Sequence, residues 1–389
     1  MRLYTSVFFL LGILFVPFSF QFYSIQNGIT EFLFGNLINL SASFIGIKWE
    51  LNDLSSDSVR IAILFMWLLI VSIPLTYLLK KKGQEFSEKL NQIATIVITY
   101  YLSWVLLKYG FDKLFKAQFY SPEPNILYSR VGDLDKDMLF WTSMGSSYTY
   151  SVITGIFEII PAILLLFKKT RNLGVLLVIG VFIHVFVLNI GFDISVKFFV
   201  GFLLLMSCFL AYPFAYNLWL FLCNQPIQTI SSSKQTIERF QPKNWLKAFL
   251  IVGICFESLY PFINTGNFND DLAPRPIYHG AYQVESVIIG TDTLSPQSAD
   301  LKRIFIHRDN YLIFQDMNDQ FEDFYFELNA TNSCMKVIDY HQHIQNYSIS
   351  YNQKTEILTL KNEQQQIKCK VLPWKKMALL QPLFHWTVD

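Results

Sequence analysis

The chain has 389 residues, of which 52% are hydrophobic, 17% are aromatic and only 16% are charged. A soluble domain carries roughly a quarter charged residues, so this composition favours a membrane protein. The formal net charge of +1 provides no concentrated basic surface, which argues against a nucleic-acid partner.

Seven apolar runs approach the roughly 20 residues that a membrane-spanning helix needs. They lie near residues 3–22, 59–79, 93–110, 148–167, 173–191, 197–222 and 245–264. The first run follows Arg2 but has no small-x-small cleavage site, so it predicts a retained helix rather than a signal peptide. The lipid bilayer is therefore the first partner that the sequence predicts.

Positive charges in the connections predict the orientation, because Lys and Arg concentrate on the cytoplasmic side. The second, fourth and sixth connections are basic through Lys80, Lys81, Lys82, Lys89, Lys168, Lys169, Arg171, Lys234, Arg239, Lys243 and Lys247. The first connection is instead acidic, with Glu31, Glu50, Asp53 and Asp57 against Lys48. With seven helices, the basic connections share one side. We expect a bacterial inner-membrane protein with a cytoplasmic N-terminus and a periplasmic C-terminal domain.

The pattern changes after Gly266 to short segments rich in Ile, Val, Tyr and Phe, separated by polar clusters. The segments are Gln283–Ile289, Arg303–His307, Tyr311–Gln315, Asp323–Leu328, Tyr347–Tyr351, Glu356–Leu360 and Ile367–Leu372. This spacing predicts an antiparallel sandwich or barrel. The expected divisions are two N-terminal helices (1–92), a four-helix bundle (93–222), a cytoplasmic loop with the last helix (223–265) and the outer β domain (266–389). Cys334 and Cys369 both fall in that domain, and the sequence does not decide whether they pair.

The fourth predicted helix carries a stripe of small and polar residues on one face: Tyr148, Ser151, Gly155, Glu158 and Ala162. Such a stripe is expected to face neighbouring helices. Glu158 falls near mid-membrane, where a carboxylate is costly unless it is neutral or paired. It is therefore a candidate for chemistry, or else one half of a structural pair with another helix.

Other polar residues are predicted to gather at the outer end of the bundle. A pocket for an amphipathic ligand is expected to use Lys113, Gln118, Asp133, Trp141, Tyr148, Asn189 and Asp193, with Glu158, His184 and Lys197 as the candidates for catalysis. No second His or Cys stands at ligand spacing near His184, so no metal site is expected there.

Several motifs in this region resemble DoxX-like membrane proteins of Bacteroidetes-type bacteria. The matching segments are residues 109–119 (Tyr-Gly-Phe-Asp-Lys-Leu-Phe-Lys-Ala-Gln-Phe), Gly132-Asp133, residues 141–148 (Trp-Thr-Ser-Met-Gly-Ser-Ser-Tyr), Gly155 with Glu158, residues 188–197 (Leu-Asn-Ile-Gly-Phe-Asp-Ile-Ser-Val-Lys) and Phe384-His385-Trp386. The match covers residues 100 to 215 well and the rest loosely. This resemblance implies a DoxX-like four-helix core and a role near quinone oxidoreductases or envelope redox complexes.

The overall layout also resembles, more distantly, the membrane domains of vitamin-K-dependent carboxylase-like and lipase-maturation-factor proteins. In these proteins a multi-helix membrane domain precedes a β-rich domain on the non-cytoplasmic side. The resemblance implies either quinol chemistry or help in folding exported proteins.

Three functions remain open from the sequence. The first is a redox-associated protein that interacts with quinone, or an accessory subunit of an envelope complex. The second is a non-catalytic assembly or maturation factor that binds an exported, membrane or periplasmic protein through the β domain. The third is a transporter, because prolines interrupt several of the predicted spans. Membrane helices also tolerate proline in other proteins, however, and no inverted repeat is visible.

Overall fold

A computed structural model of the chain describes residues 2–18, 20, 22–47, 54, 56–226, 244–329, 333–382, 385 and 387. Two compact units emerge: a helical unit of residues 1–118 and 151–268, and a barrel unit of residues 119–150 and 269–389. Some residues used in the sequence predictions lie outside the described ranges: Lys48, Glu50, Asp53, Lys234, Arg239, Lys243, Phe384 and Trp386.

The described helices are α1 (Arg2–Phe15), α2 (Tyr23–Ile45), α3 (Val59–Lys80), α4 (Gln84–Leu114), α5 (Pro124–Leu127), α6 (Lys136–Gly145), α7 (Tyr148–Leu166), α8 (Arg171–Gly191), α9 (Lys197–Leu222) and α10 (Asn244–Thr265). Within the described ranges, six stretches are helical, long and apolar enough to cross a membrane, and they correspond to α3, α4, α7, α8, α9 and α10. Six helices of this length and composition are compatible with a polytopic membrane protein, one fewer than the seven spans that the sequence predicted.

The first predicted span is shorter than expected, since α1 has only 14 residues. Pro17 explains its end, because the residue before a proline is disfavoured in helical geometry. The side chain of Gln26 then donates hydrogen bonds to the carbonyls of Ile13, Leu14 and Val16, at 3.1, 3.2 and 2.9 Å. These bonds satisfy the open end of α1. They also anchor α2, a helix that falls where the sequence predicted only a connection.

The long helix α4 lies at the centre of the helical unit. Its buried residues include Ala94, Ile98, Leu102 and Val105, each with no exposed surface. Helices α1, α3, α9 and α10 all pack against it. Because α4 is covered on several sides, the side chains of its last turns face other parts of the protein. Lys113, in the last turn, is therefore buried.

The barrel unit contains nine described strands: β1 (Gly280–Ile289), β2 (Asp292–Leu294), β3 (Arg303–Ile306), β4 (Tyr311–Gln315), β5 (Phe321–Asn329), β6 (Cys334–Ile338), β7 (Ile344–Asn352), β8 (Ile357–Lys361) and β9 (Gln365–Val371). All neighbours pair antiparallel, and β1 pairs with both β3 and β9, which closes an eight-stranded barrel. The short β2 forms a hairpin on the end of β1. The predicted antiparallel β domain is confirmed, and each of the seven predicted segments overlaps a strand.

The inside of the barrel is filled by apolar side chains, which include Ile304, Leu312, Phe326 and Leu358, all 1% exposed or less. Alternation along each strand therefore turns the intervening residues outward. The outward residues decide what the barrel can bind, because its described interior is packed.

Residues 119–150 pack with the barrel, whereas the sequence predicted them as part of the bundle in 93–222. Tyr128 lies against Phe305 on the outer face of β3, with ring centroids 5.9 Å apart. The side chains of Glu123 and His279 meet at 2.7 Å and are almost fully buried. We name residues 119–150 the inserted segment.

Candidate functional site

A buried ion pair joins α4 and α7 inside the helical unit. The ammonium of Lys113 lies 2.8 Å from both carboxylate oxygens of Glu158. The side chains are only 10% and 8% exposed, and the ring of Tyr109 lies 5.4 Å from the ammonium. Each charge therefore has a partner, which is what a membrane interior demands of ionised groups. The arrangement can hold two helices together or bind a proton at a fixed place.

Two glycines bring α4 and α7 close enough for this pair to form. A Cβ added at Gly155 would lie 2.7 Å from the carbonyl oxygen of Gly110 and 2.8 Å from the backbone nitrogen of Leu114. Ser151 donates a hydrogen bond to the carbonyl of Lys113 at 2.7 Å. Four residues of the predicted stripe thus lie at the contact with α4, namely Ser151, Gly155, Glu158 and Ala162, whereas Tyr148 is exposed.

Lys197 at the start of α9 and Asp193 in the turn before it form a second cluster. Lys197 Nζ is 2.8 Å from Asp193 and 3.5 Å from Asp57, and the Asp57 carboxylate also accepts hydrogen bonds from the backbone at the start of α9. This contact caps the N-terminus of α9 with negative charge. Asn189 is 3% exposed, and its Nδ2 has no hydrogen-bond partner among the described residues. Lys197 is thus paired with these aspartates, and Glu158 with Lys113.

Two further predicted residues stand apart from both clusters. His184 is exposed on α8, on a helix face that the rest of the unit does not cover. Gln118 follows α4, where its backbone nitrogen donates to the carbonyl of Asp112 at 3.0 Å. Its side-chain oxygen is buried without a hydrogen-bond partner in the described part of the chain.

Three predicted ligand-binding residues belong to the barrel unit. Asp133 is exposed, and Trp141 packs between Phe119 and Phe140 at centroid distances of 5.6 and 5.3 Å. Tyr148 begins α7 and is 54% exposed. The expected ligand set is therefore divided, with Lys113, Gln118, Asn189 and Asp193 in the helical unit.

Sequence reasoning passed over a second carboxylate within an apolar helix. Glu257 of α10 accepts a hydrogen bond from Trp104 Nε1 of α4. The ring of Trp104 also stacks on Phe20, with centroids 3.8 Å apart. The sequence does show Glu257 as a lone acidic residue in an apolar run. Nothing in the sequence, however, predicts its contact with a tryptophan 153 positions away.

Charged contacts of the barrel unit were also missed. Asp319 accepts hydrogen bonds from Lys302 and Arg130, the latter at 2.5 Å. The hydrogen bond from Lys302 is the main cause that lowers the pKa of Asp319. Burial raises the pKa of Glu123, but the hydrogen bond from His279, the electrostatic effect of the two nearby imidazoles and the hydrogen bond from the Arg308 backbone outweigh it, so the pKa is lowered. These contacts attach the inserted segment to the barrel.

The histidines and cysteines of the β domain do not come together in the part of the chain that the structure describes. No group of three or more His, Cys, Asp and Glu side chains among them is arranged to hold a metal ion. His343 pairs with Asp339 at 2.8 Å rather than forming a site with His341. Cys334 and Cys369 are free thiols, and burial raises the pKa of Cys369.

Comparisons with known proteins add one relative. The uncharacterized protein YwoB of Bacillus subtilis (strain 168) is 26% identical over 116 residues, which cover 30% of this chain and 73% of YwoB. No family model matches the sequence, and no solved structure matches it.

Proposed function

We propose that this protein is a DoxX-like inner-membrane protein that serves as an accessory subunit of an envelope complex and binds a partner protein through its barrel unit. The observation that carries the proposal is an aromatic patch on the outer face of the barrel. We name it the aromatic face and define it as Tyr311, Phe321, Tyr325 and Tyr340.

The aromatic face is formed by outward side chains of β4 and β5 and by the turn after β6. Tyr311 and Tyr325 are directly opposite across the strands, with ring centroids 6.0 Å apart. Phe321 is 39% exposed, Tyr325 42% and Tyr340 77%. Exposed aromatic clusters mark protein interfaces, where these side chains supply much of the binding energy. The packed barrel interior leaves the outer surface as the place for such binding.

The arrangement of helices supports a barrel on the outer side of the membrane. Four of the six candidate spans, α7 to α10, separate the two chain segments of the barrel unit, so an even number of crossings returns both to the same side. The basic residues Lys80 to Lys82 and Lys168 to Arg171 then face the opposite side. By the positive-inside rule that side is the cytoplasm, and the barrel is periplasmic.

The Lys113–Glu158 pair supports an accessory role over direct catalysis. Both oxygens of Glu158 are already bound by the same ammonium. A carboxylate held in this way has little freedom to relay protons, whereas it connects α4 to α7 and leaves an uncompensated buried charge when its partner is removed. Some of the residues behind the DoxX-like resemblance, among them Lys113, Gly155 and Glu158, lie at this helix contact.

Purification in mild detergent from the native host tests the proposal. Quantitative mass spectrometry should recover a stoichiometric envelope protein with the natural chain. The double substitution Phe321→Ser with Tyr325→Ser should release it, while Ser350→Ala on β7, on another outward part of the barrel, should not. Unchanged recovery with the double variant would contradict the proposal.

Quinone binding is the second candidate, and the Trp104–Glu257 contact favours it. An indole stacked on Phe20 and bonded to a carboxylate in an apolar helix offers a ring surface beside a proton acceptor. Lipid extraction of the purified protein should then yield bound quinone, which Glu257→Gln would remove. Protein without quinone would rule against this candidate and leave the accessory role unaffected.

A further inference from the structure

A cleft separates the inserted segment from the outer face of β4 and β5. Its volume is about 380 Å³, and both walls belong to the barrel unit. The inserted segment contributes Asn125, Asp133 and Asp135, and the strands contribute Tyr311, Phe321 and Asp323. The cleft is therefore continuous with the aromatic face.

The walls of the cleft are rich in acceptors that lack donors. Asp133 and Asp135 are exposed, and neither carboxylate has a hydrogen-bonding or ion-pair partner among the described residues. The side-chain oxygen of Asn125 is buried and also unpartnered in the described part of the chain. The exposed carboxylates are the acceptors that a ligand in the cleft reaches directly, and hydrogen bonds to charged acceptors are stronger than those to neutral ones.

The positively charged side chains at the cleft already form ion pairs with Asp319. Arg130 binds Asp319 at 2.5 Å, and Lys302 binds the same carboxylate. His307 is the remaining basic group of the lining, and burial lowers its pKa, so it is neutral at physiological pH. The negative charges of Asp133 and Asp135 are therefore not balanced by cations of the cleft.

Aromatic rings complete a site for a cation. Phe321 and Tyr311 line the cleft beside the carboxylates, and the hydroxyl of Tyr340 donates to Asp323 at 2.5 Å. Guanidinium and ammonium groups are attracted both to carboxylates and to the faces of aromatic rings. Arginine suits this combination best, because its planar group stacks on rings and donates several hydrogen bonds.

We propose that the cleft binds an arginine-bearing segment of the partner protein. This inference rests on the proposed function and names the chemistry of the partner at one site. The aromatic face supplies apolar contact area, and the cleft selects a positively charged side chain next to it.

Fluorescence anisotropy with the full-length protein in nanodiscs of neutral lipid tests the inference. The probe is fluorescein-labelled tetraarginine, with labelled tetraglutamate as its control. We expect saturable binding of tetraarginine only, weakened roughly tenfold by Asp133→Asn with Asp135→Asn, as two partly exposed ion pairs are lost. The matched double variant Asp292→Asn with Glu363→Gln, which removes two exposed acidic charges outside the cleft, should bind like the natural chain.

Equal loss in both double variants would reduce the binding to net charge and overturn the inference. Calcium binding that depends on Asp133 and Asp135, without tetraarginine binding, would also overturn it, since the cleft would then be a metal site. Failure of this kind is distinguishable from failure of the proposed function. If only the inference about arginine fails, recovery of the stoichiometric partner still depends on Phe321 and Tyr325. If the proposed function fails, recovery of that partner does not depend on them.

Discussion

Glu158 accepts two hydrogen bonds of 2.8 Å from the ammonium of Lys113, a residue 45 positions earlier in the chain. The pair links α4 to α7 at the point where Gly110 and Gly155 let the backbones approach. A buried ion pair of this kind contributes little more to the stability of a protein than apolar side chains of similar size would. Removing one partner, however, leaves one uncompensated buried charge. The pair is therefore a structural connection, and breaking it is expected to lower the stability of the helical unit strongly.

The single substitution Glu158→Gln should destabilise the helical unit by about 3–5 kcal/mol, because it leaves the Lys113 charge buried without its counter-ion. The double substitution Lys113→Met with Glu158→Leu should cost much less. Thermal unfolding in detergent micelles measures both. Glu85→Gln serves as the control, since its pair with Lys89 is exposed. A double variant as unstable as the single one would contradict the account of the pair.

The close approach of α4 and α7 should tolerate no added side chain at Gly155. Gly155→Ala places a Cβ against the Gly110 carbonyl and is expected to cost about 1–3 kcal/mol of stability through overpacking. Gly180→Ala on α8 is the matched control, because nothing lies within 4 Å of its added Cβ. The same thermal measurement compares them, and equal stability of the two variants would disprove the close contact.

The stability of the barrel should depend on the protonation of His307. Burial lowers its pKa from the ordinary value of 6.5, against the opposing effect of Glu123 and Asp309. The stabilisation of the fold by the neutral imidazole of His307 is therefore complete above the pKa that this group has in the unfolded chain. It is lost as the pH falls through the lower pKa of His307 in the folded state. The pKa values of Glu123 and Asp319 are also lowered, but unfolded carboxyl groups titrate near about pH 4, below this window.

Hydrogen exchange of the full-length protein at about pH 7.5 and about pH 5.5 measures this effect, after correction for intrinsic rates. Protection of β3 and β4 should fall at the lower pH in the natural chain. In His307→Gln it should change little, since the titrating group is gone. An identical pH dependence in the variant would assign the effect to another residue.

The proposed orientation predicts which positions a membrane-impermeant maleimide reaches. In spheroplasts that make the chain with its five natural cysteines replaced by serine, Asp292→Cys on the barrel should react at once, while Lys81→Cys between α3 and α4 should react only after permeabilisation. Both positions are exposed, so access through the membrane is the difference between them. The reverse pattern would invert the topology and place the barrel in the cytoplasm.

Local pattern was enough to predict seven of the nine described strands, all except β2 and β6, and most of the described helices. Two apolar segments at 303–307 and 311–315, separated by a polar cluster, predicted β3 and β4, and the apolar run at 173–191 predicted α8. The end of α1 at Phe15 could also have been predicted from Pro17 by local rules, but the apolar run continues beyond it, and the sequence analysis extended the helix too far. Short-range pattern therefore predicts elements better than their boundaries.

Contacts between distant segments were beyond the sequence. Glu158 was recognised as a costly charge, but periodicity cannot name Lys113 as its partner. The inserted segment was assigned to the bundle because it lies between two apolar helices. Its packing on the barrel depends on contacts such as Glu123 with His279, which are 156 positions apart.

The most direct test of the accessory role is site-specific photo-crosslinking in native cells. A photoreactive amino acid at Tyr325, in the aromatic face, should form a crosslink with one envelope protein. The same group at Ser350, on the outward side of β7, should not. Crosslinking from both positions, or from neither in cells that make the natural complex, would contradict the proposal that the aromatic face binds a partner.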